Sequence, residues 1–199
     1  NFYATETWAN TDTGDGRRIQ AAWMRGSSFP NMPFNQQISF PCELTLHGTP
    51  NGLRIFREPI SQIALLHRGQ DAWRDRVLKD GELLPLEPSG QLFQIKAEVD
   101  IPSGAHLIFK LRGVAVDLTS KTVASGSGPA SVADRIKALE ILVDRASIET
   151  FVNEGEISST RFVLPDEEGL SVKAQGGEVA IRSLVVYPLN SAWAPGAKN

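Results

Sequence analysis

The residues of this chain best able to do chemistry are its carboxylates and its aromatic rings. Two carboxyl groups about 5–5.5 Å apart can serve as nucleophile and acid/base in a retaining hydrolysis, but none of the acidic positions reads as such a pair. Pro41-Cys42-Glu43 lies inside the alternating run Ile38-x-Phe40-x-Cys42-x-Leu44-x-Leu46, which puts Glu43 on one face with Ser39 and Thr45, towards solvent. Asp144 and Glu149 flank the turn Arg145-Ala146-Ser147, where a salt bridge or cap to Arg145 is the plain role and a sugar contact the alternative. Glu154 and Glu156 belong to a hairpin tip and Asp166-Glu167-Glu168 to a polar loop, so both sets read as solvated surface. His47, His67 and His106 are isolated from one another and from cysteine, and no metal site is expected. Gly126-Ser127-Gly128 reads as a flexible loop rather than a phosphate cradle, and no cofactor is expected.

Among the aromatics, Phe34 stands in a polar, Pro-bounded loop beside Asn35, Gln36 and Gln37. Sugars present flat C–H faces that pack on rings, while their hydroxyls need donors and acceptors alongside. This loop therefore has the composition of a sugar-pocket rim, with packing inside the sheet as the competing role for Phe34. Trp8 and Trp23 are expected in a core, and Trp73 and Trp193 at a junction between segments.

The elements that must position these residues are strands. Phe2–Trp8 ends in the turn cluster 10–16, and Arg17–Met24 follows. After a loop rich in Ser, Pro and Asn, Gln37–Leu46 and Leu53–Glu58 pair around a segment containing Asn51-Gly52, a hairpin signal. Four antiparallel strands of this length make one propeller blade, which cannot bury both faces without neighbours. Residues 59–69 read as a linker with loosely helical spacing at Ile60, Ile63, Ala64 and Leu66. From about Gln70, roughly ten short strands with regular turn signals predict a β-sandwich almost devoid of helix. The expected fold class is all-β: a four-stranded blade over 1–58, the linker, a sandwich over 70–193 and a tail over 194–199.

Composition narrows the function classes. With 199 residues, 41% of them hydrophobic, and a net charge of −3, the chain can bury a real core. No stretch of roughly 18 apolar residues is present, so no transmembrane helix is expected. Lys and Arg are scattered, which gives no footprint for nucleic acid. One cysteine, Cys42, allows no internal disulfide. The start at Asn1, without Met or leader, suggests a fragment or a processed product.

An ordered series of motifs resembles glycoside hydrolase family 32, the β-fructosidases (invertases, levanases, inulinases). In the first half these are Phe2-Tyr3-Ala4, Gly16-Arg17-Arg18-Ile19, Trp23-Met24, Met32-Pro33-Phe34-Asn35-Gln36-Gln37 and Ser39-Phe40-Pro41-Cys42-Glu43-Leu44-Thr45-Leu46. In the second half they are the run from Leu139 to Glu156 and the closing Leu189-Asn190-Ser191-Ala192-Trp193. The resemblance implies the last blade of a five-bladed propeller followed by the family's C-terminal sandwich. The family's catalytic carboxylates lie upstream, in strings like WMNDPNG, RDP and ECP, and none of these occurs here.

Several expectations follow from the resemblance. The chain carries no catalytic residue and is inactive alone, while its parent hydrolyses β-linked fructosyl residues in sucrose, levan or inulin. Phe34, Asn35, Gln36 and Asn1 contact substrate, Asn1 replacing a frequent Asp near the active-site mouth. The partner is the N-terminal propeller part of the same enzyme, with neither nucleic acid nor membrane involved, and an extracellular or periplasmic setting is favoured. The alternative is a stand-alone fructan-binding or purely structural sandwich, with Asp144–Glu149 and the loop 125–131 as its candidate grip.

Overall fold

The computed structural model describes residues 2–8, 14, 16–31, 33, 35–87, 90–126, 128–164 and 169–192. Strands, numbered in chain order, dominate it. The first part holds β1 (Phe2–Trp8), β2 (Arg18–Met24), β3 (Gln37–Ile38), β4 (Cys42–Thr49) and β5 (Gly52–Pro59). A 3-10 turn, Ser61–Leu66, precedes β6 (Asp71–Leu78), β7 (Leu83–Leu86), β8 (Phe93–Asp100), β9 (His106–Leu111), β10 (Val114–Leu118), β11 (Thr122–Ala124) and β12 (Pro129–Ser131). The last part holds β13 (Ala138–Val143), β14 (Ser147–Val152), β15 (Ile157–Phe162), β16 (Leu170–Gln175) and β17 (Val179–Pro188).

Three sheets result. The blade has the order β1-β2-β4-β5, with β3 added beside β2. Two six-stranded sheets, β15-β14-β13-β8-β17-β6 and β12-β11-β10-β9-β16-β7, make the sandwich. Alternation along each strand sends Leu107, Phe109 and Leu111 from one sheet and Ile95, Ile141 and Val186 from the other into a shared, fully buried core. In β17 the inward residues change parity, from Val179 and Ile181 to Leu184 and Val186. A bulge between Ile181 and Ser183 supplies the extra residue, so the apolar set stays inside while Arg182 turns out.

The run Gln37–Leu46, expected as one strand, is broken at Ser39–Pro41 because Pro41 has no N–H for a ladder. Ser39 is buried rather than solvent-facing: its N–H donates to Ala22 O at 2.9 Å, and its Oγ accepts the Ala22 N–H at 3.0 Å. Residues 129–131, expected in a flexible loop, form β12 against β11.

Among the described residues, no layer covers the outer half of the blade's apolar face. Leu46 is 67% exposed, its cross-strand partner Ile55 65% and Leu53 67%. Trp8, expected in a core, is 45% exposed, and Trp23 is half-buried near Tyr3. Trp73 packs on the sandwich core, while Trp193 lies outside the described residues.

The β14–β15 hairpin tip touches the blade directly. Asn153, Glu154 and Gly155 all have positive φ, and Asn153 Oδ1 accepts the Lys137 N–H at 2.9 Å to pin the turn. Gly155 O accepts the Arg57 N–H at 3.1 Å, and a Cβ on Gly155 would fall onto the Arg57 backbone. Both the left-handed φ and this close approach demand glycine. Gly155→Ala is expected to destabilise the chain by about 2 kcal/mol or more, read as a lower urea midpoint at unchanged slope.

Candidate functional site

The joint between blade and sandwich gathers the polar groups that sequence patterns leave unexplained. Strand β14 is buried along its whole length. One face, with Ile148 and Val152, belongs to the sandwich core. The other presents Phe151 to a second apolar cluster with Cys42, Ile63, Leu142 and Leu189. Glu149 shares that second face, by strand alternation, and is fully buried.

Glu149 does not pair with Arg145. Its Oε1 accepts the Phe40 N–H at 2.7 Å, the amide freed where Pro41 interrupts the blade strand. Its Oε2 accepts from Arg57 Nη2 at 3.2 Å and from the Thr160 hydroxyl at 2.9 Å. One carboxylate thus ties two blade strands to β14 and β15. Burial pushes the Glu149 carboxyl above the ordinary range, against the opposing pull of Arg57, the Phe40 N–H and the Thr160 hydroxyl. Arg57 is buried too, its guanidinium 4.3 Å from the centre of the Phe2 ring and 5.3 Å from that of Phe151. Two rings and one carboxylate surround the cation, while its Nε is buried without a partner among the described residues.

Beside this pair, Glu58, Glu140 and Glu154 line a cleft of about 300 Å³ with Lys96, Ser183 and Tyr187. Glu58 stands opposite Glu43 across β4 and β5, and Glu43 lies 4.0 Å from Arg17. Partial burial raises the Glu58 pKa, and Glu154, Glu140 and Glu43 add to it against Lys96. Glu140 itself is held by Lys96 at 3.2 Å and by Gln94 Nε2 at 2.6 Å. Gln94 Oε1 meets His67 Nε2 at 2.5 Å, which places the ring proton on that nitrogen. The His67 ring stacks on Tyr187 at 4.0 Å, so the linker is fastened to the sandwich sheet.

The polar loop leans on the same joint. Phe29 meets Phe162 edge-on at 5.3 Å, and Gln37 Nε2 donates to Ala146 O at 3.3 Å. Asn35 is exposed and its Oδ1 accepts the Phe29 N–H at 3.0 Å. Gln36 holds a φ of 74°, its N–H donates to Ser27 O at 3.0 Å, and its Oε1 is buried without a partner among the described residues. Phe34 and Asn1 lie outside the described residues. Asp144 Oδ1 accepts the Arg145 N–H at 2.7 Å, the turn cap foreseen for it. Arg57 and Gln94 were not singled out by the sequence, and His67 was read there only as an isolated histidine. For Arg57 a signal existed, a charged residue that strand alternation places on the same face of β5 as Leu53 and Ile55.

Residues 112–188 match the family described as "Glycosyl hydrolases family 32 C terminal". The chain is 26% identical to a levanase of Bacillus subtilis strain 168 over 97% of its own length and 34% of that protein. A levanase of Bacillus sp. strain L7 is 30% identical over 96% of the chain and 24% of that protein. The chain thus spans a third or less of the length of these two relatives. Among solved structures, fructan 1-exohydrolase IIa from Cichorium intybus superposes with a TM-score of 0.75 at 16% identity, covering 96% of this chain and 48% of that one. A family 32 glycoside hydrolase from Bifidobacterium adolescentis gives 0.69 at 23% identity, covering 97% and 32%. Residues 112–188 thus carry the C-terminal domain of glycoside hydrolase family 32, and the chain as a whole is similar to the C-terminal portion of that family's members.

Removing one member of the buried pair leaves the other uncompensated. Glu149→Ala is expected to lower unfolding stability by about 3–5 kcal/mol, with the double variant Glu149→Leu/Arg57→Met recovering most of the loss. Glu58 gives the pH dependence. Its raised folded pKa favours the protonated native state, so its contribution is fully present below the unfolded value of 4.5 and is lost as pH rises through the folded value. Glu58→Gln is expected to flatten that decline in a series of melts across this window.

Proposed function

We propose that this chain is the closing blade and C-terminal sandwich of a retaining β-fructosidase, and that it completes a five-bladed propeller whose other blades carry the catalytic carboxylates. The observation that carries the reading is the uncovered apolar face around Leu46, Leu53 and Ile55, on a blade whose opposite end is sealed against a sandwich. A face of this kind requires a neighbouring layer, and the levanases it resembles are much longer than the chain. The intact protein would act on β-linked fructosyl residues in levan, inulin or sucrose.

In that setting the loop resting on Phe162 and Ala146 would form part of the substrate rim. Asn35 keeps its amide nitrogen free of the Phe29 contact, and the unpartnered Gln36 Oε1 awaits a donor such as a sugar hydroxyl. Phe34 would supply the ring and Asn1 a neighbouring amide. The sandwich would serve this rim indirectly, by holding the blade and its loop in place.

The test mixes the chain with a polypeptide carrying the remaining blades of a levanase relative. A one-to-one complex in native mass spectrometry and fructose release from levan by the mixture, with none from the chain alone, are expected. Leu46→Asp/Ile55→Asp should weaken the complex at least tenfold, on the order of 1.4 kcal/mol or more, without shifting the melting of the sandwich. Fructose release by the chain alone would refute the reading.

A further inference from the structure

The edges of the two sandwich sheets do not close on each other where β15 and β12 end their respective orders. Between them runs a trough of about 330 Å³, with Val123, Ser125 and Ala130 on one wall, Ile157, Ser158 and Ser159 on the other and Phe2 of the blade at its end. None of the residues lining it carries a charge. No lining side chain offers an ionic ligand a counter-charge, the Arg161 guanidinium packing against Gly126 outside the lining.

The polar groups present are of another kind. Ser125, Ser158 and Ser159 offer hydroxyls that make no hydrogen bond with another described residue. Behind Ser159, directly opposite it across the β14–β15 ladder, Thr150 is 1% exposed and its Oγ1 has no partner among the described residues. A buried hydroxyl without a partner is uncommon, because it forfeits its bond to water. As the edge strand of its sheet, β15 also keeps one row of backbone donors and acceptors outside the ladder. Hydroxyls on both walls alternate with the methyl groups of Val123, Ala130 and Ile157 and the Phe2 ring. That mixture suits a ligand with hydroxyls and C–H surface in equal measure and no charge.

We propose that this trough binds a neutral oligosaccharide, its hydroxyls meeting Ser125, Ser158 and Ser159 and its C–H face lying on Val123, Ile157 and Phe2. Only the choice of fructan as first probe rests on the function proposed above; the trough's chemistry is independent of it.

The experiment titrates the isotopically labelled full chain with levan oligosaccharides and, separately, with malto-oligosaccharides, following backbone amide shifts. Saturable millimolar shifts confined to Ser125 and Ile157–Thr160 with levan oligosaccharides are expected. Ser159→Leu, which fills the trough, and Ser125→Ala, which removes one hydroxyl and adds no volume, should each weaken binding about tenfold at unchanged melting temperature. Should Ser159→Leu fail to fold, Ser125→Ala carries the comparison. Shifts at the same residues with malto-oligosaccharides alone would uphold the saccharide site and count against the fructan reading. Absence of localised shifts with either probe, or equal affinity in a folded variant, would overturn the proposal and leave the propeller-completion test unaffected.

Discussion

The joint between blade and sandwich is organised around the buried carboxylate of Glu149. A buried carboxylate is costly unless its lone pairs are met, and the donors that meet it come from opposite sides of a boundary: Phe40 and Arg57 from the blade, Thr160 from the sandwich. The blade strand is interrupted at Pro41, and the interruption frees the amide that Glu149 takes. Arg57 in turn is tolerated inside because Phe2 and Phe151 flank its guanidinium. Each irregularity of one segment is thus answered by a group of the other, and this gives the joint a single register where a purely apolar contact could slide.

Around that pair the architecture is conventional, and its few departures serve the boundary. Strand β14 has no exposed residue because it faces a core on each side. The Asn153–Gly155 tip is left-handed throughout so that the chain can approach Arg57 closely. His67, stacked on Tyr187 and bonded to Gln94, stops the linker from acting as a hinge. The polar loop gains its position at second hand, through Phe29 on Phe162 and Gln37 on Ala146.

Much of the fold was legible in the sequence because period-two alternation and Gly, Asn and Pro signals are local. The blade strands and most sandwich strands follow from residues a few positions apart, as do the Asp144 cap and the tip at Gly155. What alternation could not show is which face meets what. Ser39 has the polarity of a surface residue, yet it is buried because it satisfies both backbone groups of Ala22. Trp8 has the character of a core residue, yet it is exposed because no layer covers it among the described residues. Glu149 stands four residues from Arg145, a nearness that pointed to the wrong arginine. Its real partner, Arg57, is ninety-two positions away, and no local pattern encodes such a pairing.

Cys42 carries a further consequence. It is the chain's only cysteine, it is wholly buried in the cluster that seals blade to sandwich, and burial pushes its thiol up to about 12. Sulfur reacts with alkylating and oxidising reagents as the thiolate, so at neutral pH this atom is doubly shielded, by neighbours and by its proton. Its labelling therefore reports the opening of the cluster that joins blade to sandwich, and no second thiol in the chain competes for a thiol-directed reagent. The molecule holds its own stopwatch for the opening of the joint.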